Sequence, residues 1–214
     1  DYAIYQKAII EGLRGRKTEE IIALQDLADN FPNSEYADDA LLQLGSSYQD
    51  IGQLSKAEEP LRRLITDFRR KSPLINQALL KLGLISYNQG NIQQAISYYK
   101  QVFGNNPESS EASLALAALE EIYVRDLGRP NEYFAFLETV PGYKPDNLLR
   151  DSITFRSAET MYENGDYSGA ITAYTNYLRQ YPRGRYIVPA HYHRGESHGV
   201  LQEYSKALDD YEWV

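Results

Sequence analysis

Cysteine is absent from this 214-residue chain, which removes disulfides, thiolate metal sites and cysteine nucleophiles and leaves the redox compartment open. Positive charge is also short. Lys and Arg total 22 against 30 Asp and Glu, and a net charge of −8 argues against a general nucleic-acid binder, which needs a basic footprint on phosphates. Long hydrophobic runs are missing too. The cleanest stretch, residues 114–119, falls far below the roughly 18 residues of a membrane span, so no transmembrane segment is expected. No Gly-rich phosphate loop, zinc-protease motif or serine elbow occurs. The chain opens at Asp1 without an initiator Met and stops at Val214 inside a helical pattern with no capping residue. It therefore reads as a fragment of a longer protein, and the lack of a leader carries no weight.

What is present is a repeat. The stretch from Ala40 to Ala57 recurs as Ala78 to Ala95, and Gly45, Gly52 and Ala57 fall on Gly83, Gly90 and Ala95 without a gap. A period in this range signals a solenoid built from one supersecondary unit. With position 8 of a 34-residue unit set on Gly45 and Gly83, units are expected near 1–34, 38–71, 76–109, 110–143, 151–184 and 188–214, the last cut short. All belong to a single domain over residues 1–214. Ala8, Ala158 and Gly195 take position 8 in other units. Position 20 is small at Ala57, Ala95, Ala170 and Ala207, but Glu20 stands there in the first unit, which predicts that its two helices splay or shift register.

Within each unit the apolar spacing is helical. Leu79, Leu82 and Ile85 follow a 3-and-4 pattern, and Ile92, Ala95, Ile96, Tyr99 and Val102 repeat it after the Gly90-Asn91 turn. The unit is therefore helix, turn, helix, with small residues where paired helices approach to about 8–10 Å. The fourth unit is irregular. Ala117 takes its position 8, the turn over residues 125–130 is displaced and longer, a short helix is expected over Asn131–Thr139, and a Pro145-containing loop bridges to the fifth unit at Asp151. Such an insertion reads first as a kink in the array and second as a contact surface.

These residues resemble the tetratricopeptide repeat family. The match rests on Leu44-Gly45, Tyr48, Ala57 and Leu61; on Leu82-Gly83, Tyr87 and Ala95; on Ala158, Tyr162, Ala170, Tyr174 and Pro182; and on Gly195 and Ala207. Tyr87 and Tyr162 lie one place late. The resemblance implies an all-α, right-handed superhelix of about six helix-turn-helix repeats. The connector over residues 31–40 looks like a bacterial subgroup that includes outer-membrane assembly lipoproteins and the periplasmic partner of the Tol–Pal system. That likeness places the chain in the periplasm or at the outer membrane, with the cytoplasm as the alternative.

Clusters that invite a chemical reading have blander explanations. His191 and His198 lie two helical turns apart, about 10–11 Å, too far for one metal ion, and are expected as surface or groove-lining residues. The basic runs Arg62-Arg63 and Arg69-Arg70-Lys71 sit at the end of a second helix, where cations offset the helix dipole. Adjacent carboxylates such as Glu58-Glu59 point to different sides of a helix. No catalytic residue, cofactor or metal is expected. The resemblance turns positions 5, 6, 9 and 12 of each first helix toward a concave groove. It thereby singles out Leu42, Gln49, Leu80, Leu84, Tyr87, Phe155, Arg156, Glu159, Tyr162, Tyr192 and His193 as a partner-binding surface. The expected function is a non-enzymatic scaffold that binds a peptide or partner domain there. The alternatives are an envelope glycan-binding module, with groove tyrosines as stacking platforms, and a targeting arm of a longer enzyme. Partner identity and oligomeric state are not legible from these residues.

Overall fold

Position 15 of the repeat is where the chain reverses. Gly15, Gly52, Gly90 and Gly165 adopt φ of 73°, 73°, 77° and 76°, in the left-handed region that a Cβ disfavours. Each ends the first helix of a pair and releases the second. The computed structural model describes residues 1–69 and 71–214, so Arg70 of the basic run lies outside the described residues. The described elements are α1 (Tyr2–Leu13), α2 (Lys17–Asn30), α3 (Ala37–Asp50), α4 (Leu54–Asp67), α5 (Ile75–Asn88), α6 (Ile92–Asn105), α7 (Ser110–Glu120), a π-helical turn (Glu121–Asp126), α8 (Pro130–Leu137), α9 (Asn147–Glu163), α10 (Tyr167–Gln180), α11 (Ile187–Val200) and α12 (Tyr204–Trp213). No strand occurs among the described residues. The chain divides into two compact units, Asp1–Leu116 and Ala117–Val214.

The last pair breaks the turn rule. Gln202 stands at position 15 and carries a φ of 62°. A non-glycine residue there costs about 1–2 kcal/mol, partly offset because glycine loses more freedom on folding. Gln202→Gly is therefore expected to stabilise the protein by roughly 0.5 kcal/mol. A chemical-denaturation curve showing equal or lower stability would mean that the backbone is not strained at this turn.

Pairs are closed by small residues facing large ones. A Cβ on Gly83 would lie 2.5 Å from the Tyr99 ring, one on Gly45 would lie 2.6 Å from Leu61, and one on Gly195 would lie 2.8 Å from the Tyr211 ring. The glycine at position 8 thus admits the side chain at position 24. Ala57, Ala95 and Ala170 at position 20 are wholly buried. The first pair reaches the same closeness by another route, and the expected splaying does not occur: α1 packs along α2 as α3 does along α4. Buried Glu20 takes the place of the small residue, and Gly12 makes room for it, since a Cβ there would lie 2.8 Å from the Glu20 carboxyl carbon. Lys17 Nζ at 3.0 Å and the Gln43 side-chain amide at 2.9 Å neutralise and bond that carboxylate.

In the third and fifth repeats a polar residue at position 1 ties the following connector down. Asn76 donates to Ser109 Oγ at 2.7 Å and to the Asn106 carbonyl at 3.2 Å, and accepts from the Asn105 side chain at 2.8 Å. Asp151 does the same job two repeats further on: Tyr177 OH donates to it at 2.5 Å and the Arg185 backbone N–H at 2.7 Å. The Tyr177 oxygen in turn accepts the Tyr186 N–H at 3.0 Å. Burial, with Asp151 second, holds the Tyr177 hydroxyl far above its usual range, so it stays a donor.

The fourth repeat departs in register from its sequence reading. Ala117 is exposed, whereas Ala112, Ala115 and Leu119 are buried, and the helix ends at Glu120 and widens into the π-helical turn. The short helix starts one residue early at Pro130, a position that suits proline because the first helical N–H needs no partner. α9 begins at Asn147, four residues before Asp151, with the Asp146 carboxylate capping the Leu149 N–H at 2.8 Å.

Candidate functional site

Within Asp1–Leu116 the singled-out residues lie on α3 and α5. α5 buries Leu79, Leu82 and Ile85 on one side, which follows from its apolar spacing. Leu80 and Tyr87 are half-buried on the other side, and Leu84 between them is 47% exposed. Leu42 and Gln49 of α3 are half-buried, and Lys81 Nζ donates to Gln49 Oε1 at 3.4 Å, bridging the two helices. The face is thus a leucine stripe edged by amide and amine groups, with no carboxylate among the named residues.

Within Ala117–Val214 the singled-out residues lie on α9 and α11, and their chemistry differs. Phe155 stacks on Tyr186 with ring centroids 4.6 Å apart and meets the wholly buried Tyr177 edge-on at 5.5 Å, so its ring is part of an aromatic cluster. Glu159 accepts a short hydrogen bond from Tyr174 OH, and its Oε1 lies 2.6 Å from His193 Nδ1. With the proton on Nδ1, His193 is the second donor. Burial, then the Glu159 bond, drives the Tyr174 hydroxyl far above its ordinary value. Tyr162 stacks on the His193 ring at 4.8 Å and 7°, and its hydroxyl donates to Glu196 at 2.8 Å. That bond, with burial second, raises the Tyr162 hydroxyl to about 12. Tyr192 stands edge-on to His193 and is 45% exposed.

Arg156 is exposed and pairs with Glu120 at 2.7 Å. It lines a cleft of about 410 Å³ between the π-helical turn and α9, together with Glu120, Glu121, Arg125, Glu159 and Glu163. Four carboxylates against two guanidiniums make that cleft electronegative. Among the described residues no set of three His, Asp or Glu side chains converges as metal ligands, and no helix is long and apolar enough to cross a membrane. His191 and His198 are not free groove residues. His191 Nδ1 lies 2.7 Å from Asp210, which Arg194 also holds, and His198 Nδ1 lies 2.6 Å from Glu203. Burial opposes the Asp210 charge, but its bonds to Arg194 and His191 outweigh burial and lower its carboxyl below the usual range.

Sequence reasoning found the aromatic and histidine positions but missed Tyr174, Glu196 and Glu120 as their partners. Tyr174 is legible in the sequence only as a residue of the repeat match. Glu196 stands at position 9, itself one of the groove positions, and that was the available signal. Glu120 carried none, because the irregular fourth repeat hides its register.

Among the described residues, successive helices packed in pairs, with small residues at the crossings, define a helical-repeat scaffold. The chain belongs to the tetratricopeptide repeat family, whose repeat profile matches residues 2–34, 39–70, 77–109 and 154–183, more than half of the sequence. This family mediates protein–protein interaction and is typically without catalysis. The fold is that of a tetratricopeptide repeat protein from Parabacteroides merdae. The two share 17% identity at a TM-score of 0.55, over 100% of this chain and 78% of that one. Other similar structures are a pilF protein of Pseudomonas aeruginosa (16% identity, 97% of this chain and 87% of that one, TM-score 0.48) and the C-terminal part of a repeat protein from Cytophaga hutchinsonii (15%, 97% and 76%, TM-score 0.46). No curated protein matches the chain in sequence.

Proposed function

We propose that this chain is a non-enzymatic interaction scaffold of the bacterial cell envelope, and that the first-helix face of α3 and α5 holds an amphipathic peptide segment of a partner. The observation that carries the reading is Leu84, 47% exposed on a helix whose other leucines are half-buried or buried. An apolar side chain left at the surface beside Leu80, Leu42 and Tyr87 marks an interaction site more readily than a scattered one would. On α9 and α11 the bonded Glu159, His193, Tyr162 and Glu196 set a rigid polar edge, with Tyr192 and Arg156 exposed beside it, and aromatic and arginine residues are enriched among binding hot spots. The envelope placement, and the likeness to outer-membrane assembly lipoproteins and the Tol–Pal partner, rest on the connector over residues 31–40.

The test is capture from a cell-envelope lysate by the immobilised chain. Leu84→Ser is expected to change stability by no more than about 0.5 kcal/mol, because the side chain is half in water, and the Leu84→Ser, Tyr87→Ala double variant is expected to lose most of the captured protein. Equal retention by the double variant would remove this face from consideration. Binding to a glycan array with no peptide binding would favour the tyrosine-platform alternative.

A further inference from the structure

One cleft recurs between the second helices of successive pairs, and the chain occupies it differently each time. Its floor is positions 0 and 4 of the intervening first helix, and one wall is position 26 of the following second helix. Between α2 and α4, Arg63 at position 26 crosses the gap and donates to the Ala28 carbonyl at 2.9 Å and to Asp29 at 2.8 Å, beside a residual space of about 340 Å³. On α12, Trp213 holds the same position and lays its indole on the His191 ring at position 4, centroids 3.9 Å apart and 16° from parallel. Between α4 and α6 the residue is Gln101, whose amide turns back to the Ser97 carbonyl of its own helix at 3.3 Å. There the cleft stays open at about 580 Å³, floored by Ile75 and Leu79, walled by Ile65 and rimmed by Arg69, Gln101 and Asn105.

Where the equivalent position seats its indole on an imidazole, the open cleft offers an apolar floor of Ile75 and Leu79, and room for a ring. Arg69 at its mouth makes no ion pair among the described residues, so a guanidinium suited to bidentate contact with a carboxylate is unengaged. We propose that this cleft receives an aromatic side chain of a partner polypeptide, with an adjacent carboxylate of that partner on Arg69. The surface is separate from the α3 and α5 first-helix face, so the two can be tested apart.

The probe is a fluorescein-labelled peptide with the sequence of residues 207–214, which carries the Trp213 ring beside three carboxylates. Titrated with the full chain and read by polarisation, it is expected to bind saturably with a Kd on the order of 100 μM. Gln101→Trp, which supplies the ring that the equivalent position already has, is expected to weaken the peptide at least about tenfold while the helical signal and melting temperature are retained. Arg69→Glu is expected to weaken it about fivefold, with the loss shrinking as salt is added. Leu84→Ser should leave it unchanged. The proposal is overturned by any of three results: no saturation at millimolar protein, full-strength binding to Gln101→Trp, or equal binding of the peptide with Ala in place of its Trp. Loss of binding in Leu84→Ser would move the peptide to the other face and overturn it as well.

Discussion

Ala95→Leu is expected to cost about 1–3 kcal/mol and to lower the melting temperature by roughly 3–10 °C. Ala95 is wholly buried where α6 crosses α5, and the same pair is already so close that Gly83 has no room for a Cβ beside Tyr99. Three added carbon atoms must be fitted into a helix pair whose Leu82 and Tyr99 are themselves buried. The Tyr99 hydroxyl, raised to about 12 chiefly by burial, shows how little water reaches that side of the crossing. Because a repeat array is stabilised by nearest-neighbour interfaces, hydrogen-exchange protection should fall in α4 as well as in α5 and α6. A variant melting like the parent chain would show that position 20 is not the point of closest approach. Ala170→Leu at the same position on α10 should behave alike, since Ala170 is also wholly buried.

Asp151→Ala is expected to cost about 3 kcal/mol, because it leaves the buried Tyr177 hydroxyl and the Arg185 N–H without an acceptor, each orphaned group costing about 1–3 kcal/mol. The two bonds, at 2.5 and 2.7 Å, fasten the connector between α10 and α11 to the first turns of α9. Asp151→Asn keeps an acceptor oxygen and should lose about half as much, which separates a hydrogen-bonding role from one of charge. Urea unfolding of the three proteins measures the difference. Equal stability of Asp151→Ala and the parent would mean that solvent replaces the carboxylate, contrary to its burial at 5% exposure.

Much of the fold was legible because its rules are local. A glycine that ends a helix, an alanine that permits a crossing and a 3-and-4 apolar pattern act over one unit, and repetition at a fixed spacing multiplies a weak signal. The irregular fourth repeat was legible only as irregular. Position 8 falls on Ala117 by spacing, yet Ala115 and Leu119 are the buried residues, and no residue type in 121–126 announces the π-helical turn that follows. Glu20 was read as a misfit because the compensating residue, Gly12, lies on the partner helix, where only packing connects the two.

The sequence by itself determined the pairing of helices and the positions of the turns, since both follow from spacing along the chain. The tertiary structure alone decided which polar groups meet. His193 finds Glu159 34 residues away, Tyr162 finds Glu196, and Arg63 reaches back to Asp29 across a helix boundary. Apolar burial is non-directional and tolerates any residue of suitable size, so periodicity suffices to predict it. A hydrogen bond demands an atom at about 2.9 Å in one direction, and that requirement is settled only when separate helices are brought into place.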